Sequence, residues 1–240
     1  MSNISIDINI AKEVAAKEAL NFVQSNMVVG LGTGSTAKIF VDLLAKMYFS
    51  KKLNLKVLST STETEIQAKN LGLPLTQIDK VSKIDIVIDG ADETDMNLNL
   101  IKGGGGALLQ EKIVASNSNK MIVIVDDSKV VDTLGKFPLP IEIVKFGHKK
   151  TKNQIKKILI KLGYNDFSLD LRKENNNYFV TDEKHYIVDL SLKKIIDPNI
   201  LEKNIKKITG VVETGLFIKI ANVVIIGDDK GNCKLIKKER

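Results

Sequence analysis

The stretch MVVGLGTGSTAKIFVDLLAKMYF (27–49) decides how the chain is read. MVVGLG (27–32) is a short apolar strand that runs into glycine. STAKIFVDLLAKMYF (35–49) continues as a helix, with Ser35 or Thr36 as the expected N-cap. A buried strand, a glycine turn and a helix in immediate succession form the opening βα unit of a parallel sheet. The units repeat downstream. LKVLSTS (55–61) reads as a strand, TETEIQAKNLG (62–72) as a helix closed by Gly72, and IDIVIDGAD (84–92) as a strand. ALLQEKIVASNS (107–118) then reads as a helix and KMIVIVDD (120–127) as a strand. Upstream, AKEVAAKEALNFVQ (11–24) suits a helix with Val14, Leu20 and Val23 as its apolar members. Alternating strands and helices imply right-handed crossovers, and strands such as MIVIV are apolar on both faces because helices cover both sides.

The period changes after FPLP (137–140). PIEIVKF, TKNQIKKILIKLG, DFSLDLR, HYIVDLSL, PNILEKNIKKITG and VVETGLFI run strand, helix, strand, strand, helix, strand, the order of a split-βαβ, ferredoxin-like unit. ANVVIIGDDKGNCKLIKK (221–238) then reads as a hairpin. The expected fold is therefore α/β. Residues 1–134 plus 211–240 form a Rossmann-like parallel-sheet domain. Residues 135–210 form an inserted smaller α+β ferredoxin-like domain, whose last strand runs on toward about 218.

Composition narrows the class. Of 240 residues, 43% are hydrophobic and 27% charged, a globular balance that argues against extended disorder. No apolar run approaches the roughly 18 residues of a membrane span. The start MSNISIDINIAKE lacks the basic and apolar regions of a signal peptide, so a cytoplasmic address is expected. A single cysteine, Cys233, excludes an internal disulfide framework and argues against a thiolate metal cluster. The net charge of +7 raises the question of nucleic acid. However, the basic residues are lysines apart from Arg172 and Arg240, whereas base reading favours arginine forks. Residues 135–210 hold 16 basic and 9 acidic side chains, and the remainder holds 20 of each. The surplus is read as a solvated lysine coat, including Lys152, Lys156 and Lys157, away from the chemistry. Neither nucleic acid nor membrane is expected as a partner.

Ligands of open α/β sheets collect beyond the carboxyl ends of the strands, and four polar clusters fall there. In GLGTGST (30–36), Gly30 and Gly32 fit a dinucleotide fingerprint, but Ser35 stands at the third glycine and no P-loop lysine follows. What remains is a backbone-rich turn with Thr33, Gly34, Ser35 and Thr36 at a helix start. That turn suits a phosphate, or serves only as a tight turn with its cap. Asp89-Gly90-Ala91-Asp92-Glu93 gathers three carboxylates that suit polyol hydroxyls, a metal or acid–base work. Lys102-Gly103-Gly104-Gly105-Gly106 enters a helix in which Glu111 lies about one turn inside, on a stripe with Ala107, Leu108 and Ala115. A carboxylate on so small and apolar a stripe is either a desolvated general base or part of a solvated Gln110-Glu111-Lys112 run. Lys129, in Asp126-Asp127-Ser128-Lys129, is a surface lysine or an anion ligand.

Taken together, GLGTGSTA, STST (59–62), DGADE, LIKGGGGALLQEKIVA, DDSKVVDTLGKFPLPIE and TGVVETGLF (209–217) resemble the type A ribose-5-phosphate isomerase family. The likeness runs in order over nearly the whole chain. It implies interconversion of D-ribose 5-phosphate and D-ribulose 5-phosphate through an enediol(ate), with no metal or organic cofactor and a homodimer or dimer of dimers. It also implies that Glu111 transfers the proton and that Asp89, Asp92 and Lys102 complete the catalytic set. Thr33, Gly34, Ser35, Thr36, Gly90, Ala91, Gly103, Gly104, Gly105 and Lys129 would bind substrate, and Lys12 is a looser phosphate candidate. Gly106 departs from the family, where many relatives carry alanine; the expectation is added flexibility with no loss of a chemical group. Asp127 also departs, placing an acid beside the substrate lysine. Three other readings remain for comparison. An amino-sugar phosphate deaminase would be expected to use a histidine near the sugar, and the catalytic segment has none. A sugar-phosphate sensor would need a DNA-reading module, for which the chain before residue 27 is too short. A nicotinamide dehydrogenase is disfavoured by the broken fingerprint.

Overall fold

In the computed structural model, which describes residues 2–237, the chain opens with α1 (Ser2–Ala19). Next come β1 (Val28–Leu31), α2 (Ser35–Ser50), β2 (Lys56–Ser59), α3 (Thr62–Asn70) and β3 (Ile86–Asp89). Two short strands, β4 (Glu93–Thr94) and β5 (Leu100–Ile101), precede α4 (Leu108–Ser116) and β6 (Met121–Asp126). β7 (Leu139–Ile143), α5 (His148–Lys161), β8 (Ser168–Leu171), β9 (Lys173–Glu174), β10 (Asn177–Tyr178), β11 (Tyr186–Ser191), α6 (Pro198–Ile205) and β12 (Val211–Thr214) follow. The chain ends with β13 (Leu216–Phe217), β14 (Val223–Gly227) and β15 (Cys233–Lys237).

Six strands form the main sheet in the order β15-β14-β6-β3-β1-β2. All neighbours are parallel except the β14–β15 edge hairpin. The sheet is apolar on both faces, as its sequence implied. Ile122 and Ile124 of β6 join α1 and α2 in one core, while Met121, Val123 and Val125 join α4 and Phe217 in another. A second sheet, β12-β7-β11-β8, is antiparallel throughout and covers the third core with α5 and α6. This strand order is that of a split-βαβ unit.

Local details differ from the sequence reading. The first helix begins at Ser2 rather than near residue 11, and it buries Ala11, Ala15, Ala16 and Ala19 more deeply than Val14 or Leu20. Small side chains let this helix lie close to the sheet. A Cβ at Gly227 of β14 would come within 1.9 Å of the Ala11 carbonyl oxygen. The cap of α2 is Gly34, at φ 105°, and not Ser35 or Thr36, which are already inside the helix. Two features went unread. One is the β9–β10 hairpin around Asn175 and Asn176, both at positive φ. The other is a three-stranded sheet, β13-β5-β4, that joins the two larger ones. Gly215 separates β12 from β13; its N–H donates to the Pro140 carbonyl and its carbonyl accepts from Lys102 N–H. Gly227→Ala should therefore lower stability by about 2 kcal/mol through overpacking, read as a fall in the urea midpoint without a change of slope.

Candidate active site

The carboxyl ends of β1, β3 and β6 lie side by side at the centre of the main sheet, and the polar clusters meet there. Asp89, the last residue of β3, is fully buried. Its Oδ1 accepts from Thr33 N–H at 2.9 Å and Gly90 N–H at 2.8 Å. Gly32 makes that approach possible, since a Cβ there would fall 2.2 Å from the same oxygen. The glycines that imitate a dinucleotide fingerprint thus make room for a carboxylate.

Lys102, immediately after β5, is 2% exposed, and its ammonium meets three oxygens. It donates to the Gly90 carbonyl at 2.6 Å and to Glu111 Oε1 at 2.9 Å, and it pairs with Asp89 Oδ2 at 3.0 Å. Glu111 sits in the first turn of α4 and is itself 3% exposed, so the solvated-run reading of Gln110-Glu111-Lys112 does not hold. Its second oxygen, Oε2, is buried and has no hydrogen-bond partner among the described residues.

Two carboxylates thus share one ammonium out of water. Burial, only partly offset by Lys102 and reinforced by Asp89, pushes the Glu111 carboxyl up to about 8. Burial likewise raises Asp89, against the pull of Lys102. Burial also works against the Lys102 charge, but Asp89 and Glu111 outweigh it and hold the ammonium above its usual range.

A cleft of ≈ 120 Å³ opens beside this trio. It is lined by Thr33, Gly34, Ser35, Thr36, Gly90, Ala91, Asp92, Lys102, Gly103, Gly104, Gly105, Glu111 and Lys129, together with Lys12 of α1. Every expected site residue except Asp89 lines it; Asp89 lies beneath the surface, holding the lining in place. The three acids of DGADE diverge. Asp92 accepts from Gly104 N–H at 2.8 Å and so fixes the glycine loop. Glu93 turns away, buried, and accepts from Gly135 and Phe137 N–H groups. Among the described residues, no three His, Cys, Asp or Glu are grouped to hold a metal ion.

The hydroxyl of Thr33 is occupied by Thr60 at 2.8 Å and Ser61 at 2.9 Å, so Thr33 ties the ends of β1 and β2 together. The first turn of α2 has no side-chain cap, and Gly34 and Ser35 are exposed in the cleft. Asp126 accepts from Ser128 N–H and sets the turn that carries Lys129 to the cleft; Asp127 is exposed and does not line it. The expectation for Gly106 needs correction. It stands at φ 88°, where a Cβ would lie 2.3 Å from the Phe179 ring, so glycine serves close packing there and not flexibility.

A larger open groove, ≈ 850 Å³, lies on the other side of α4 between Leu58, Ile78, Gln110 and Glu183, and contains no member of the trio.

The chain is similar to known proteins. The family model for ribose 5-phosphate isomerase A (phosphoriboisomerase A) matches residues 56–231. The ribose-5-phosphate isomerase A of Dinoroseobacter shibae is 48% identical over 235 residues, covering 98% of this chain and 90% of the relative. This chain belongs to the ribose 5-phosphate isomerase A family. The isomerase A of Lacticaseibacillus paracasei is 43% identical, with 94% and 96% covered. Among solved structures, the Plasmodium falciparum ribose 5-phosphate isomerase superposes with a TM-score of 0.90 at 42% identity, covering 97% of this chain and 99% of that one. A ribose-5-phosphate isomerase in complex with phospho-erythronic acid gives 0.85 at 38% identity, with 94% and 97% covered. The Rossmann-like parallel sheet with an α+β partner is thus the fold of this isomerase family.

Sequence reasoning missed three contributors. Lys112, one residue beyond Glu111, is buried and binds Glu202, Glu213 and the Thr214 carbonyl, locking α4 to β12 and α6. Arg172 and Phe179, far along the chain, close over the glycine loop. Only the Gln-Glu-Lys spacing hinted at Lys112, and nothing local marks the other two.

The raised carboxyl has a measurable cost. Between the ordinary glutamate value of 4.5 and about 8, the folded chain retains a proton on Glu111 that the unfolded chain has lost. Stability from this group is full below that window and falls as pH rises through it. Glu111→Gln has no such dependence. Its unfolding free energy should gain on that of the wild type from the acid end of the window to the alkaline end, as read by urea denaturation at both.

Proposed function

We propose that this chain interconverts D-ribose 5-phosphate and D-ribulose 5-phosphate through an enediol(ate), with Glu111 as the proton-transferring base. The observation that carries this reading is the split state of the Glu111 carboxylate. Oε1 is pinned by Lys102, while Oε2 is unpartnered and belongs to a residue that lines the cleft. An aldose–ketose exchange takes a proton from C2 and returns one to C1, so one carboxylate can serve as base and then as acid. A carboxyl near 8 is poised for both directions at neutral pH, being basic enough to take the C2 proton and acidic enough to give it back.

The remaining roles follow from which donors are free. With two hydrogen bonds and an ion pair already made, Lys102 is first the fixed counter-charge that orients Glu111 and Asp89. Charge developing on the sugar oxygens then falls to backbone donors of the glycine loop, with Lys102 joining when a partner is exchanged. Asp92, at the cleft edge, is placed to accept from a sugar hydroxyl while it holds Gly104. The uncapped start of α2, flanked by Lys12 and Lys129, suits the phosphate, because its N–H groups and dipole favour an anion. Fixing the phosphate at one end holds C1 and C2 near Glu111 at the other. Assembly as a homodimer and a cytoplasmic address are part of this proposal. No helix of the described residues is long and apolar enough to cross a membrane.

Purified protein should convert ribose 5-phosphate in EDTA with no nucleotide added; tight sugar-phosphate binding without turnover would favour a sensor. In D₂O, product formed by this route carries deuterium at C1, whereas a direct hydride shift leaves it unlabelled. Glu111→Gln should lower kcat by roughly 10²–10⁴-fold while ribose 5-phosphate still binds, and near-normal turnover would sink the assignment of the base. For the wild type, kcat/KM should climb with pH toward a plateau above about 8, because the free enzyme must present the carboxylate.

A further inference from the structure

We propose that Arg172 is a positioning residue for the reaction: from the smaller domain, it holds the glycine loop so that the Gly105 amide faces the substrate. The inference rests on the function proposed above. Arg172 follows β8 and is partly buried, with 14% of its side chain exposed. One nitrogen, Nη1, donates to two successive loop carbonyls, Gly103 O at 2.9 Å and Gly104 O at 3.0 Å. The rest of the fork is anchored. Nε donates to Asp189 Oδ2 at 2.9 Å and Nη2 pairs with Asp189 Oδ1 at 2.5 Å, a bidentate grip on a strand of the second sheet. The guanidinium carbon also lies 5.7 Å from the Phe179 ring centroid, and that ring occupies the space a Cβ on residue 106 would need.

The consequence follows from peptide planarity. A trans peptide points its C=O and the next N–H in opposite directions. Drawing the Gly103 and Gly104 carbonyls toward Arg172 turns the N–H groups of Gly104 and Gly105 away from it. Gly104 N–H is spent on Asp92 at 2.8 Å. Gly105 lines the cleft, and its position would accept a side chain with nothing nearer than 3.8 Å, so neither bulk nor close packing surrounds it. Left alone, four successive glycines would sample many orientations of these peptides. The guanidinium fork selects one of them, and the choice is made by a residue that does not line the cleft. Arginine is needed because lysine, a point charge, cannot hold two carbonyls and a carboxylate in one plane.

The test compares wild type, Arg172→Ala, Arg172→Lys and Asp189→Asn. Turnover of ribose 5-phosphate by the wild type is the control: its absence would overturn the proposed function itself and not the clamp. With an active wild type, Arg172→Ala should lower kcat by roughly 10- to 100-fold with a much smaller change in KM. Affinity for phospho-erythronate, whose carboxylate resembles the enediolate, should weaken by a similar factor in calorimetry. Arg172→Lys and Asp189→Asn should fall between wild type and Arg172→Ala. Peptides covering residues 103–106 should exchange amide hydrogen faster in Arg172→Ala, a readout independent of catalysis. A folded Arg172→Ala enzyme with wild-type kcat and wild-type phospho-erythronate affinity would overturn the proposal. If Arg172→Ala fails to fold, the lysine and asparagine variants decide by the same measurements: unchanged kcat in both overturns the proposal, and lowered kcat at near-constant KM upholds it.

Discussion

One ammonium shared by two carboxylates, all out of water, is the constraint around which this molecule is arranged. Lys102 between Asp89 and Glu111 leaves the trio one negative charge in excess, and burial removes the solvent that would disperse it. Burial first, and the neighbouring Asp89 charge after it, raise the Glu111 carboxyl, so that a proton is kept there. Each member comes from a different part of the main domain: the end of β3, the residue after β5 and the first turn of α4. The register of the parallel sheet and the small β13-β5-β4 sheet bring them together. Gly32 permits the approach of Asp89, and the backbone of Lys102 is fixed by Gly215 at the junction of the sheets.

The smaller domain takes part in that arrangement. Lys112, adjacent to Glu111, is tied to Glu202, Glu213 and the Thr214 carbonyl, so the orientation of α4 depends on β12 and α6. Glu93 binds the chain at Gly135 and Phe137, where the second sheet begins. Asp182 accepts from Thr62 N–H at the start of α3, and Gln110 donates to Glu183. With Arg172 on the glycine loop, these contacts tie the smaller domain to the elements that carry the cleft. A domain that appears in composition as a lysine-rich outlier thus supplies side chains that hold the glycine loop and α4.

Much of the site was legible because its residues cluster locally. Strand ends, a carboxylate group, a glycine run before a helix and a glutamate on an alanine stripe each carry a chemical meaning within a few residues. The rest depended on contacts that local sequence does not encode. Arg172 is 68 residues from Gly104, and nothing beside it in the lysine-rich segment marks it as a partner of the glycine loop. Gly106 read as loose because nothing nearby in sequence announces the Phe179 ring. The α2 cap was assigned to Ser35 or Thr36 by ordinary preference, whereas Gly34 takes it and leaves the first turn without a side-chain cap. Glu93 looked like a third acid of the site, but its direction is fixed by a distant turn.

The sequence by itself determined the order of the main strands and helices, the ferredoxin-like insertion, the chemical inventory and the family, because periodicity and short motifs are properties of neighbouring residues. Only the tertiary structure decided which acids face the cleft and which support it, which oxygens the Lys102 ammonium meets, and how far the Glu111 carboxyl is raised. Those properties depend on desolvation and on distances of about 3 Å between groups far apart along the chain, and no local pattern sets either.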